Sequence, residues 1–132
     1  MTLKKKMARR AGSIHLMLVA LYFYGCAPAE EERPIVQMAK LQIDADQLED
    51  YKAALKEEIA ASVRKEPGVL TLYAVAEKDN PAHITVFEIY ANVEAYQSHL
   101  ESPHFKKYKS TTKEMVQSLE LIETVPIALE AK

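Results

Sequence analysis

Apolar residues recur with two different spacings after residue 34, and these spacings predict alternating strands and helices. Alternation at every second position, with many β-branched side chains, predicts strands over residues 35–43, 69–79, 83–91 and 119–130. Steps of three and four positions predict a helix that ends near Lys65 and a second helical region that begins after Asn92. The predicted order is therefore β-α-β-β-α-β.

Residues that cap or end helices set the limits of the two helical regions. The first helix is capped by Asp44 or Asp46 and ends at Glu66-Pro67-Gly68, because a residue before proline avoids helical backbone. Its buried face is predicted to carry Leu48, Tyr51, Leu55, Ile59 and Val63. The second region restarts at Ser102-Pro103, a favourable N-cap and first helical residue. Together these elements predict an α+β, ferredoxin-like fold with an antiparallel sheet.

The third strand has apolar residues on both faces, although two helices can cover only one face of a four-stranded sheet. The face predicted to lie under the helices carries Ile84, Val86, Glu88 and Tyr90. The opposite face is predicted to carry Phe87 and Ile89, beside Val69, Tyr73 and Val75 of the second strand. An uncovered apolar face of this size is an association surface. The sequence therefore predicts a homodimer that packs sheet to sheet.

The N-terminal segment has the charge and hydropathy pattern of a bacterial lipoprotein signal. Its first ten residues carry five basic side chains and no acidic one, and an apolar run leads to Gly25 and Cys26. This order is typical of export followed by acylation of the cysteine thiol. The alternative is a buried cysteine in an N-terminal helix. We expect a signal peptide at 1–25, an acidic tether from lipidated Cys26 at 26–34, and one domain at 35–132.

Composition excludes several classes of function. From Cys26 onward the chain has 12 basic and 19 acidic residues, a net charge of about −7, which makes it a poor nucleic-acid binder. A single acylated cysteine forms neither a disulfide nor a thiolate metal site. His99 and His104 lie five positions apart across a helix break with no third ligand nearby in the sequence, so we expect no metal site. The three glycines form no phosphate-binding loop.

Candidate chemistry is concentrated in FEIYANVEAYQSHLESPHF, residues 87–105. Glu88 and Tyr90 are predicted to point toward the helix that carries His99, where carboxylate and imidazole could together take a proton from a phenol or enol. The alternative is a His–Glu hydrogen bond that only satisfies two buried polar groups. His104 could line a pocket mouth or be an exposed surface histidine. Tyr73 and Tyr108 could line a cavity or simply pack.

Three segments resemble the antibiotic biosynthesis monooxygenase (ABM) family, closest to its quinol monooxygenase branch. They are EPGVLTLYAV, the strand ending FEIYAN, and VEAYQSHLESPHFKKY, and the resemblance covers about residues 35–127. It implies a dimeric α+β barrel and cofactor-independent oxygenation, with molecular oxygen as co-substrate, of a quinol or phenolic molecule. On the matching positions, Glu88, Tyr90, His99 and His104 would line the pocket, with His99 as base.

Haem is not expected, because the haem-degrading members of the family need an Asn, a Trp and a His where this chain has Ala39, Tyr90 and Lys109. The export signal places the protein on the bacterial membrane, facing the cell envelope, beside lipid-soluble quinols. The sequence thus predicts an envelope-anchored monooxygenase. The alternative is a non-catalytic lipoprotein that binds a small hydrophobic or aromatic ligand.

Overall fold

The structure is a computed structural model that describes residues 33–130. The predicted signal peptide, the predicted lipidation site Cys26 and most of the predicted tether lie outside the described residues. Within residues 33–130, every helix is too short or too polar to cross a membrane.

Four strands and three helices form an α+β domain in the predicted order, with the second helical region divided in two. The elements are β1 (Ile35–Ile43), α1 (Leu48–Lys65), β2 (Val69–Ala76), β3 (His83–Tyr90), α2 (Val93–Glu101), α3 (Pro103–Thr112) and β4 (Val116–Thr124). The strands pair antiparallel in the order β2-β3-β1-β4. The ferredoxin-like prediction is confirmed. The last strand, however, lies nearer the N-terminus than predicted and ends at Thr124, before Pro126.

The predicted caps of the second helical region are present, whereas the one predicted for α1 caps a short turn before that helix. Asp44 accepts a hydrogen bond from the Asp46 N–H (3.0 Å) at a short 3₁₀ turn that leads into α1. Asn92 accepts one from the Ala95 N–H (2.8 Å) and starts α2. Ser102 accepts one from the Phe105 N–H (3.3 Å) and separates α2 from α3. Because a cap satisfies a backbone donor left free at a helix start, Asn92 and Ser102 fix where α2 and α3 begin, whereas α1 begins after Gln47 without a side-chain cap.

The core lies between the inner face of the sheet and the helices. Its main cluster of buried residues is Ala39, Leu41, Ile43, Tyr51, Leu55, Ile84 and Val86. The predicted buried face of α1 was partly wrong, because Val63 is 49% exposed whereas Glu58 and Ser62 are buried. The inward positions follow steps of four, three and four residues from Tyr51 through Leu55 and Glu58 to Ser62. That spacing places a carboxylate and a hydroxyl inside the domain.

The outer face of the sheet carries several exposed apolar side chains in the single chain. Tyr73 and Val75 are exposed on it, and they pair across the strands with Phe87 and Thr85. The prediction for Val69 was wrong, because this residue is buried opposite Tyr90 on the inner face. The β2–β3 register shifts between Val69 and Thr71, and such a shift breaks the period of two that the sequence pattern assumed.

Gly68 is required by a close approach between the end of α1 and the start of α2. A Cβ atom at this position would lie 2.4 Å from the Cβ of Ala95, and the Gly68 carbonyl accepts a hydrogen bond from the Ala91 N–H (2.8 Å). We expect Gly68→Ala to lower the free energy of unfolding by about 1–3 kcal/mol, the usual cost of overpacking. Urea unfolding would measure this change.

The matched control is Gly68→Ala combined with Ala95→Gly, which removes the opposing methyl group. We expect the double variant to lose less free energy of unfolding than the two single variants lose together, because the clash disappears. Strictly additive effects would contradict the proposed contact between these two positions.

Candidate active site

A cavity of about 110 Å³ lies between the inner face of the sheet and all three helices. Its wall is mostly aliphatic and aromatic, with Leu55, Leu72, Tyr90, Tyr96, Phe105 and Tyr108 among the lining residues. A cavity of roughly 150 Å³ accommodates a benzene ring, so this space is on the scale of one six-membered ring. The edge strand β4 contributes Leu119 and Leu121, which are 44% and 52% exposed, and these residues mark the open side of the cavity.

Glu88 presents a carboxylate to this cavity, as the strand alternation predicted. Gln37 Nε2 donates to Glu88 Oε2 at 2.7 Å, and the Tyr90 hydroxyl donates to the same oxygen at 2.9 Å. Within residues 33–130, Glu88 Oε1 accepts no hydrogen bond from a side chain. Burial, and then the negative charge of Glu88, raise the pKa of Tyr90, so its phenol stays protonated and keeps donating. One carboxylate oxygen is therefore fixed and the other is available to a ligand.

His99 is buried at the cavity wall, but its partners differ from those predicted. Its Nδ1 donates to Glu66 Oε1 at 3.0 Å, and its Nε2 lies 3.7 Å from Glu58 Oε1. The predicted Glu88–His99 pair was therefore wrong. The hydrogen bond between Ala91 and Gly68 holds the Glu66-Pro67-Gly68 turn against the start of α2, which brings Glu66 to His99.

Glu58 is a cavity residue that the sequence analysis missed. It is 6% exposed and accepts a hydrogen bond from Ser62 Oγ at 2.6 Å. Burial raises the pKa of Glu58, and the Ser62 hydrogen bond and His99 only partly offset that rise. The sequence signal was the spacing of Glu58 from Tyr51 and Leu55 on one helical face.

The remaining predicted site residues divide between cavity and surface. Tyr108 lines the cavity, and its hydroxyl lies 2.7 Å from that of Tyr51. Tyr73 does not line the cavity, because it is 69% exposed on the outer face of the sheet. His104 is half-buried beside the cavity wall, with its Nε2 2.5 Å from Glu66 Oε1, and faces a surface groove instead.

Glu66, His99 and His104 converge on one another. One ligand atom from each, a carboxylate oxygen or an imidazole nitrogen, lies within 4.8 Å of the other two. The sequence showed no third ligand near these histidines because Glu66 is 33 residues from His99 in the chain. Burial acts to raise the pKa of Glu66, but hydrogen bonds from His104 and His99 outweigh it and leave the pKa below its usual value.

The sequence of this domain also matches a protein family. The profile described as antibiotic biosynthesis monooxygenase (ABM) matches residues 34–111, more than half of the 132-residue chain. The chain therefore belongs to the ABM family.

Solved structures support this membership. A Bacteroides thetaiotaomicron protein named for the same family is 54% identical, over 77% of this chain and 99% of that one, with a TM-score of 0.75. A Lactobacillus acidophilus protein named for a monooxygenase is 31% identical, over 71% of this chain and 45% of that one, with a TM-score of 0.70. A Nitrosomonas europaea ABM-named protein, 18% identical over 73% of this chain and 92% of that one (TM-score 0.68), shares the fold. No curated protein matches the chain.

Proposed function

We propose that this protein is a cofactor-independent monooxygenase that acts on a quinol or phenolic molecule in the cavity beside Glu88. The main support for this proposal is the position of the Glu88 carboxylate. Glu88 Oε2 is held by Gln37 and Tyr90, and Glu88 lines a cavity whose wall is mostly aromatic and aliphatic side chains. Such a site binds an aromatic ring and accepts a hydrogen bond from its hydroxyl.

The reaction needs a base and a dry pocket, because the substrate supplies the electrons. Glu88 takes a proton from the quinol, and the resulting quinolate donates one electron to dioxygen to give a semiquinone and superoxide. Recombination forms a carbon–oxygen bond, and loss of water leaves a hydroxyquinone. Quinol and one O₂ thus give hydroxyquinone and one H₂O. Removing solvent from the pocket strengthens the interaction of the carboxylate with the substrate hydroxyl.

The structure also changes the proposed role of His99. The sequence suggested His99 as the base, but its Nδ1 is engaged by Glu66 and its Nε2 faces Glu58. Nδ1 therefore has a carboxylate hydrogen-bond partner and Nε2 has a carboxylate 3.7 Å away, whereas Glu88 Oε1 accepts no side-chain hydrogen bond from the described residues. We assign the proton transfer to Glu88 and a positioning role at the cavity wall to His99.

The proposal is tested by oxygen consumption with a panel of quinols and phenols of increasing ring size. We expect turnover with single-ring quinols and slower turnover with multi-ring ones, because the cavity is on the scale of one ring. Saturable binding of a quinone without any oxygen consumption would favour the alternative, a non-catalytic binding protein. Neither binding nor turnover would contradict both functions.

We further propose a homodimer that covers the outer face of the sheet. The support is the exposure of Tyr73 (69%) and Val75 (63%) on that face, beside half-buried Phe87 and Ile89. Light scattering at micromolar concentration is expected to give twice the mass of one chain. We expect Tyr73→Asp with Val75→Asp to give a monomer, since two buried charges without partners oppose association. A wild-type monomer would contradict the dimer.

We also propose that a lipid anchor at Cys26 holds the enzyme at the bacterial envelope, next to membrane quinols. The support is the sequence pattern of basic residues, apolar run, Gly25 and Cys26. Mass spectrometry of the mature N-terminus is expected to show acylated Cys26, and Cys26→Ala is expected to prevent membrane retention. An unmodified precursor found outside the membrane fraction would contradict this localisation.

A further inference from the structure

The geometry of Glu66, His99 and His104 points to a binding site for a divalent transition-metal ion, with Zn²⁺ as the ion the donors fit best. The donor atoms are Glu66 Oε1, His99 Nδ1 and His104 Nε2, and all three lie within 4.8 Å of one another. Two imidazoles and a carboxylate form a common ligand set for zinc with a fourth position open. Calcium and magnesium prefer sites made entirely of oxygen ligands.

The two distances that involve Glu66 are near those a metal requires, and the two imidazole nitrogens lie within 4.8 Å of each other. Ligand atoms at about 2.0–2.1 Å from zinc lie roughly 2.9–3.4 Å apart for bond angles between 90° and tetrahedral. The distance from His99 Nδ1 to Glu66 Oε1 is 3.0 Å, within this range. The distance from His104 Nε2 to Glu66 Oε1 is 2.5 Å, so metal binding would move these two atoms slightly apart. The two imidazole N–H groups that point at the shared Glu66 carboxylate would lose their protons at these nitrogens, and this would make room for the ion.

The three ligands come from separate elements that the fold holds together. Glu66 follows the end of α1, His99 lies in the last turn of α2, and His104 lies in the first turn of α3. The helix break capped by Ser102 returns the chain so that two histidines five positions apart meet. The His99 ring is further fixed by Phe105, at a ring-centroid distance of 4.7 Å. The site is therefore preorganised by elements that fold for other reasons.

A buried carboxylate stands behind His99, as is usual for a metal-binding histidine. With Nδ1 on the metal, His99 Nε2 carries the proton and points toward Glu58 Oε1 at 3.7 Å. Glu58 is itself held by Ser62 Oγ at 2.6 Å. At hydrogen-bond distance such an outer carboxylate fixes the tautomer and the orientation of a ligating ring, so a small movement of Glu58 toward His99 would complete this arrangement. This arrangement gives Glu58 and Ser62 a role in holding the metal ligand.

The ion would face the surface and not the proposed active-site cavity. Glu66 and His104 line a groove on the outside of the helices, together with Ser98, Ser102 and Lys107. Neither residue lines the cavity that contains Glu88, whereas the third ligand, the buried His99, does. The open coordination position would therefore exchange with solvent, and the ion would connect three helices beside the cavity. This inference does not depend on the proposed oxygenase activity.

Metal binding is tested on the purified protein after removal of bound ions with a chelator. Titration with Zn²⁺ in a calorimeter is expected to show one ion per chain, and Co²⁺ is expected to give the visible absorption of a low-symmetry site. At a hundredfold excess over the dissociation constant, we expect the unfolding temperature to rise by roughly 10 °C or more. Glu58→Gln, which changes only the outer carboxylate, is expected to weaken Zn²⁺ binding by about 10- to 100-fold.

Variants distinguish Zn²⁺ binding at these three residues from adventitious binding elsewhere on the protein. His104→Gln and Glu66→Gln should each abolish measurable binding, and circular dichroism shows whether they remain folded. The control is His83→Gln, because His83 is an exposed histidine 3.3 Å from Glu77 and should not affect binding. Absence of Zn²⁺ binding, or binding that persists in both ligand variants, would overturn the site and leave Glu66 as a simple hydrogen-bond acceptor for two histidines.

Discussion

Replacing Glu88 by glutamine is expected to lower quinol-dependent oxygen consumption by roughly 100-fold or more, the usual contribution of a positioned general base. The amide keeps the size of the carboxylate and can still accept hydrogen bonds from Gln37 and Tyr90, which now hold Oε2 at 2.7 and 2.9 Å. It cannot take a proton from the substrate. We therefore expect the turnover number to fall much more than the affinity for a quinone product, as measured with an oxygen electrode and by quinone binding.

Glu123→Gln is the matched control for this variant. Glu123 pairs across the strands with Gln37 on the same face of the sheet, but it is exposed and does not line the cavity. Its replacement changes the net charge by the same amount and should leave turnover within about twofold. Equal activity of the Glu88 variant and wild type would show that Glu88 is not the base, and Glu58 would then be the next carboxylate to test.

Leu121→Trp is expected to close the open side of the cavity and to raise KM for the quinol at least tenfold. Leu121 lines the cavity and is 52% exposed, so a larger ring can occupy the mouth without entering the packed core. We expect the free energy of unfolding to change by less than about 0.5 kcal/mol, as is usual for surface substitutions. Initial rates over a range of quinol concentrations and urea unfolding measure the two effects separately.

Val63→Trp is the control for bulk and hydrophobicity. Val63 is 49% exposed on α1 and does not line the cavity. Unchanged kinetics in the control, with raised KM in the Leu121 variant, would place substrate entry at the β4 edge. Unchanged KM in both variants would mean that the substrate does not enter past Leu121.

Local signals in the sequence predicted most of the fold. Asn92 and the Ser102-Pro103 pair correctly predicted the starts of α2 and α3. A capping side chain binds a backbone N–H only three positions away, so the local sequence is enough. Glu88 was correctly placed on the inner face because strand side chains alternate. The same alternation failed at Val69, since the register shift at Leu70 depends on pairing with another strand.

The partners of the site residues could not be predicted in the same way. His99 pairs with Glu66 because the Glu66-Pro67-Gly68 turn packs on the start of α2, and that packing depends on the missing side chain of Gly68. Glu58 resembled a solvent-exposed charge within a run of lysine and glutamate, although its helical position is buried. Contacts between residues far apart in the chain therefore decided the chemistry of the cavity.

The most direct test is a reaction of a single-ring quinol under ¹⁸O₂, followed by mass spectrometry of the product. Monooxygenation in the Glu88 cavity predicts one ¹⁸O atom in each hydroxyquinone, with the other oxygen atom in water, and loss of this product in Glu88→Gln. An unlabelled quinone formed together with hydrogen peroxide would contradict monooxygenation, because it would show oxidation of the quinol without oxygen insertion.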